Sequence, residues 1–253
     1  IVGAPAIQKV KAANNQIQYG MIGTGSRGTY LLRHLKGVDT GRCVALCDVW
    51  EPSLKEAAET IGTNPKRYKD YRKLLEDKTV DAVVIASPDH WHALMFVDAC
   101  NAGKDVYVDK PLALTQWEGR RMVEVAQKTG RVVQVGLQRR SNKALQEAAA
   151  FVRDGGLGQV TVAKGFHLQN EWPNGIGNPP SGSPPDPEMW DKWLGPAPKV
   201  PYNPNRMFYR FRWFYDYSGG QVTNFGVHYV DMLRWCLGVD APKAITALGG
   251  HYA

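Results

Sequence analysis

Ile17-Gln18-Tyr19-Gly20-Met21-Ile22-Gly23-Thr24-Gly25-Ser26-Arg27-Gly28 runs from a short apolar segment straight into closely spaced glycines, and its reading decides the fold. Residues 17–22 have the length and composition of a buried strand. Beyond the glycines, Leu31, Leu32 and Leu35 recur at helical spacing, so the glycines form the turn between a strand and a helix packed on it. That is the context in which a G-x-G-x-x-G binds a dinucleotide. Gly23 permits the turn, Gly25 lets backbone approach a pyrophosphate, and Gly28 lets helix and strand pack closely. The phosphates belong at the helix N-terminus, whose N–H groups and dipole favour anions. Thr24, Ser26 and Arg27 complete the candidate cofactor contacts of the turn.

A glycine hexapeptide alone is a weak sign. Asp48 strengthens it, because it ends the next strand-like run, 20 residues after Gly28. A carboxylate there accepts hydrogen bonds from the adenosine ribose 2′-OH and repels a 2′-phosphate. The reading is NAD in preference to NADP.

Outward from this turn, short Val/Ile-rich runs at 17–22, 43–47, 82–86, 106–108 and 132–135 alternate with amphipathic stretches, one of them carrying Ala93, Phe96, Val97 and Cys100 on a single face. Such alternation specifies βαβ units and a parallel sheet. The expected architecture is α/β: a Rossmann domain over 16–138, followed by a second α/β domain over 139–253. The second half opens with a helix at 142–153 and a long strand-like run at 160–168. Ten of the 16 prolines then fall between Pro173 and Pro204, which reads as a long loop. Twelve of the 26 aromatic residues lie between Phe166 and Tyr217. A helix at 221–237 and a strand-like run at 244–248 end the chain. One or two strands do not close an independent sheet, so this domain is expected to be incomplete.

Composition narrows the class. Hydrophobic residues at 43% and charged residues at 22% exclude a disordered chain. No apolar run approaches the roughly 20 residues of a membrane-spanning helix. The net charge of +7 is scattered, so it reads as solubility, and neither nucleic acid nor membrane is an expected partner. Cys43, Cys47, Cys100 and Cys236 form no Cys-x-x-Cys pair, and Cys43 and Cys47 share a strand face with Ala45 as small core residues. No metal site is expected; His90 and His92 diverge on a helix and lack a third ligand. Residues 1–15 read as a signal-peptide remnant, ending in Ala4-Pro5-Ala6, and a polar linker. Export to the periplasm is the resulting expectation, with a ragged cytoplasmic N-terminus as the alternative.

Further motifs carry the chemistry. Ser87-Pro88-Asp89-His90-Trp91-His92 follows a strand end where doubly wound sheets bind ligands. Val108-Asp109-Lys110-Pro111-Leu112 follows the next strand, and Asn224-Phe225-Gly226-Val227-His228-Tyr229-Val230-Asp231 lies on the last helix. With the turn Gly155-Gly156-Leu157-Gly158, these make the chain from about Ile17 onward resemble the Gfo/Idh/MocA oxidoreductases, named after glucose-fructose oxidoreductase and inositol dehydrogenase. The resemblance implies a Rossmann domain followed by an α/β domain built on a large, open, mostly antiparallel sheet, in homo-oligomers. It also implies a lysine of an acidic-Lys-Pro motif beside nicotinamide and substrate, matched by Lys110, and an Asp-x-x-x-His pair on the helix. His228 matches, whereas Asn224 stands at the Asp position. An amide orients a hydroxyl but accepts no proton as a base.

On the helix itself, Val222, Phe225, Tyr229, Leu233 and Leu237 form an apolar packing stripe, and Asn224, His228 and Asp231 form a polar one at i, i+4 and i+7. The expected reaction is hydride transfer between nicotinamide and a hydroxyl-bearing carbon of a sugar or cyclitol. His228 acts as base, Lys110 stabilises the charge on oxygen, and Asn224 positions a neighbouring hydroxyl. Ser87, Pro88, His92, Asp109 and Lys110 complete the cofactor set. Gln138, Arg140 and Trp172 join Lys110, Asn224 and His228 in the substrate set. The aromatic rings between Trp172 and Trp213 suit a pyranose face, and equally a loop core or oligomer contact. Two alternatives stand beside the dehydrogenase: a redox-neutral glycoside hydrolase with tightly held NAD, and a non-catalytic NAD-binding sensor.

Overall fold

The computed structural model describes residues 16–168 and 175–250. The signal-like segment 1–15 and Trp172 therefore lie outside the described residues. The chain gathers into two compact units interleaved in sequence: 16–87, Met95–Tyr107 and Glu124–Val133 in the first, and Pro88–Leu94, Val108–Val123 and the chain from Gln134 onward in the second.

The elements run β1 (Ile17–Ile22), α1 (Ser26–Leu35), β2 (Gly41–Cys47), α2 (Glu51–Ile61), β3 (Lys66–Tyr68), α3 (Tyr71–Leu75), β4 (Ala82–Ile85), α4 (Asp89–Asn101), β5 (Asp105–Asp109), α5 (Gln116–Thr129), β6 (Val133–Gly136), α6 (Lys143–Arg153), α7 (Pro187–Leu194) and α8 (Val227–Leu237). The strands form one sheet in the order β3-β2-β1-β4-β5-β6, with β1 parallel to both β2 and β4. The order reverses at β1 and β4, the switch point at which such sheets bind dinucleotides.

The core of the first unit follows from the sequence pattern. Tyr19, Met21, Cys43, Leu46 and Val84 from the sheet pack with Leu32 of α1 and with Leu54, Ala57, Ala58 and Ile61 of α2. Cys43 and Cys47 are buried as small core residues. Gly20 makes room for Leu74: a Cβ there would lie 2.8 Å from its Cδ2.

Strand β3, which the hydrophobic pattern does not reveal, is a three-residue polar edge paired in parallel with β2. Asp77 anchors it. One carboxylate oxygen accepts from Lys66 Nζ (2.8 Å) and Tyr68 OH (2.9 Å), the other from the amide (2.9 Å) and hydroxyl (2.7 Å) of Thr79. The Lys66 bond, helped by those from Thr79 and Tyr68, holds this carboxyl below the usual range. Asp77→Ala is expected to cost about 2–3 kcal/mol in urea denaturation. The contribution is fully present above the ordinary carboxyl range and is lost as pH falls below that range through the lowered pKa of the folded state, so mutant and wild type should draw together in strong acid. Equal stability at pH 7 would refute it.

Two segments differ from expectation in the second unit. The runs at 160–168 and 244–248 join no ladder among the described residues, because a strand is defined by its partner's hydrogen bonds rather than by its own side chains. The proline-rich segment is not all loop. Asp186 caps α7, accepting from the amides of Glu188 (2.9 Å) and Met189 (3.3 Å), and Pro187 opens the first turn, where no N–H is needed. Met189, Trp190, Trp193 and Leu194 bury one face of α7.

Candidate active site

The glycine turn of the first unit is built as a close-packed cradle. Gly23 has φ +85°, and a Cβ on it would lie 2.7 Å from the backbone of Ala86 and Ser87. A Cβ on Gly28 would fall 2.0 Å from the carbonyl oxygen of Gly23, whereas one on Gly25 would meet nothing within 4 Å. Two glycines thus serve packing, and the third faces open space. Helix α1 begins at Ser26 with no side-chain cap and no acidic residue in its first turn, which leaves its N-terminal dipole to attract an anion. Arg27 is half-buried, its guanidinium 5.3 Å from the Tyr30 ring centroid.

Asp48 directly follows β2 and has protein partners. Oδ2 accepts from the Thr24 amide (2.7 Å) and hydroxyl (3.2 Å), and Oδ1 from the Trp50 amide (2.8 Å). Burial pushes its pKa up, while the bonds from Trp50 and Thr24 oppose the shift. Asp48 therefore braces the glycine turn as well as ending β2.

In the second unit the start of α4 is buried: Asp89, His90, Trp91 and His92 all are. Pro88 begins the turn by accepting from the Trp91 amide (3.0 Å). Asp89 accepts from the hydroxyl of Ser218, and burial raises its pKa against the pull of His92, Ser218, Lys110 and Arg212. His92 Nδ1 donates to the carbonyl of Pro111 (2.7 Å), which follows a cis Lys110–Pro111 bond. Asp109, at the end of β5, is buried.

His90 Nε2 donates to the carbonyl of Trp193 (3.0 Å), which also accepts from Trp91 Nε1 (2.9 Å). Burial pushes the pKa of His90 down to about 4 from 6.5. Between those values the unfolded chain binds a proton that the folded chain refuses. Stability should fall by about 3 kcal/mol as pH drops across that window, and His90→Phe should flatten the slope in urea melts. An unchanged slope in the variant would contradict the assignment.

Lys110 Nζ donates to Asn224 twice, to its backbone carbonyl (2.9 Å) and to Oδ1 (2.7 Å). Asn224 Nδ2 donates to Gln221 Oε1 (3.0 Å), which fixes the amide's orientation. The last helix starts as a π turn, Val222–Gly226, and continues as α8; such turns recur at functional sites. Its two stripes differ in burial. Asn224, His228 and Asp231 are buried, while Val222 is 78% exposed and Phe225, Tyr229 and Leu233 are half-covered. The polar stripe faces protein because Lys110 and Arg140 satisfy it.

Arg140 clasps Asp231 with its guanidinium, Nε to both oxygens (3.1 and 2.9 Å) and Nη2 to Oδ1 (2.8 Å). A desolvated carboxylate on a helix demands such a partner. Gln138 is exposed in a 3-10 turn after β6. Trp190 and Trp193 stack at 5.2 Å, with Tyr217 edge-on to Trp193, all buried. These rings form the core of their own loop, so no pyranose face is available on them.

Residues 17–137 match the family model described as "Oxidoreductase family, NAD-binding Rossmann fold", and residues 139–247 match the "Oxidoreductase family, C-terminal alpha/beta domain". The chain belongs to the Gfo/Idh/MocA oxidoreductase family. Among relatives, this Gfo/Idh/MocA chain is 35% identical over 153 residues to an inositol 2-dehydrogenase of Salmonella paratyphi B, covering 60% of the chain and 46% of the relative. It is 26% identical over 238 residues to scyllo-inositol 2-dehydrogenase (NAD(+)) of Bacillus subtilis, covering 94% of the chain and 57% of the relative. The fold matches scyllo-inositol dehydrogenase from Lactobacillus casei, solved with NAD(H) and scyllo-inositol, with TM-score 0.66 at 21% identity over 88% of this chain and 56% of that one. The chain thus spans about half the length of the relatives it matches.

Sequence reasoning did not find three partners of the site in this family member. Ser218 binds Asp89, Gln221 orients Asn224, and Arg212 acts electrostatically on Asp89. The available signal was the pair Gly219-Gly220 just ahead of the helix motif, since glycine pairs mark close backbone approach.

Proposed function

We propose that this protein is an NAD-dependent oxidoreductase that moves a hydride between nicotinamide and a hydroxyl-bearing ring carbon of a cyclitol or sugar. The observation that carries the reading is Lys110 bound twice by Asn224, with His228 buried four residues further along the same helical segment. The glycine turn fits a dinucleotide: Gly25 faces open space and α1 carries no cap. Gly23 to Gly28 would hold the pyrophosphate. Asp48 would stand beside the adenosine ribose, where a carboxylate repels a 2′-phosphate, which favours NAD over NADP. Bound NAD supplies the hydride acceptor.

The remaining work falls to the chain. His228 takes the hydroxyl proton as the carbonyl forms. Lys110 places its positive charge against the oxygen, where negative charge develops. Asn224 holds the ammonium in place by accepting two of its hydrogens, and as an amide it takes no proton itself. Substitution of Asp by Asn at this position is therefore compatible with a positioning role and leaves His228 as the base.

The test is incubation of the purified chain with NAD or NADP and a panel of cyclitols and sugars. NADH formation, with NAD preferred, is expected. Release of aglycone from aryl glycosides without NADH accumulation would replace this reading by the redox-neutral hydrolase, and bound NAD with no turnover of any kind would replace it by the sensor.

A further inference from the structure

Four buried donor atoms in the second unit have no hydrogen-bond partner among the described residues: Nε and Nη1 of Arg212, Nε1 of Trp213 and Nε2 of Gln221. Each is costly to leave unmade, and a buried guanidinium is the most costly of them. Their common feature is chemical. All four donate and none accepts, so the ligand that satisfies them is rich in acceptor oxygens.

Gln221 and Arg212 are placed by neighbours already described. Gln221 is hydrogen-bonded to Asn224, and Asn224 to Lys110. The Arg212 backbone comes within 3.8 Å of a Cβ built on Gly220, next to Gln221. The guanidinium lies 3.8 Å over the Tyr209 ring and 5.5 Å from that of Phe211, a stacked seat that fixes its plane. Arg212 and Lys110 both act on the carboxyl of Asp89. That carboxyl itself accepts from the hydroxyl of Ser218.

We infer that Arg212, assisted by Trp213 and Gln221, is a specificity-determining group that recognises a carboxylate on the substrate, so that the preferred substrates are acidic sugars rather than neutral cyclitols. This rests on the oxidoreductase reading and narrows its substrate class. Arg212 binds the anionic group, while Lys110 and His228 serve the reacting hydroxyl. No bond of the substrate changes at Arg212.

The test compares binding of D-glucuronate and D-glucose to the full chain saturated with NAD, by titration calorimetry. Glucuronate is expected to bind about tenfold more tightly or better, the ratio that one charge-assisted hydrogen bond commands. Arg212→Gln should erase the preference for glucuronate over glucose. Trp213→Phe, which keeps the ring and deletes one donor, should reduce the preference in a chain that still folds. Equal affinity for the two sugars in wild type, or a preference that survives Arg212→Gln, overturns the inference. NADH formation from neutral cyclitols with no preference for acids would overturn it while leaving the oxidoreductase reading intact. Glucuronate binding without hydride transfer would support this site and count against that reading.

Discussion

Lys110→Met should lower kcat by about 10³-fold, the scale set by removing one preorganised donor from a developing oxyanion. His228→Asn should cost about 10²–10⁴-fold, as loss of a general base does. If the two residues act on one oxygen, the double variant should be scarcely worse than the poorer single one. The bonds from Lys110 to Asn224 also tie two segments together, so a purely structural role has its own signature: lowered Tm with kcat preserved in the folded fraction. Single-turnover rates measured beside thermal melts separate the two. Near-wild-type kcat in Lys110→Met would remove the lysine from the chemistry.

Gly28→Ala should be as damaging through a different route. The new Cβ would sit 2.0 Å from the Gly23 carbonyl oxygen, which no side-chain adjustment relieves because both partners are backbone. Helix α1 would have to withdraw from β1, losing the packing of Leu32 against Met21 and Leu46. Overpacking of a tight core costs about 1–3 kcal/mol, and displacement of the phosphate cradle adds loss of cofactor binding. Gly25→Ala is the control, since its Cβ meets nothing in the protein: stability should be kept and NAD affinity reduced. Equal Tm for Gly28→Ala and wild type would contradict the packing account, and full NAD affinity in Gly25→Ala would contradict the pyrophosphate assignment.

The first half of the fold was legible because its signals are local. Apolar runs, glycine turns and a carboxylate at a strand end each report on their own neighbourhood, and β1, β2, β4, β5 and β6 lie within a few residues of their expected positions. Strand β3 was hidden because Lys66-Arg67-Tyr68 has no hydrophobic period and exists through pairing with β2. Helix α7 was masked by surrounding prolines, although Asp186-Pro187 is a sound start signal for a helix.

At the site, residue types were readable and partnerships were not. Arg140 and Asp231 are 91 positions apart, and nothing in either local sequence announces their ion pair. The polar stripe of the last helix shows the same limit: Asn224, His228 and Asp231 were readable as one face, but Lys110 and Arg140, which bond Asn224 and Asp231 and make their burial affordable, are distant in sequence.

The central claim is direct hydride movement from a substrate carbon to nicotinamide at a site served by Lys110 and His228. It is tested most directly with a substrate deuterated at the oxidised carbon, followed by mass analysis of the reduced cofactor. Deuterium recovered at the nicotinamide C4 of NADH, formed by wild type and lost in Lys110→Met and His228→Asn, is the predicted result. Deuterium released to water, or no labelled NADH from any cyclitol or sugar acid, would contradict it.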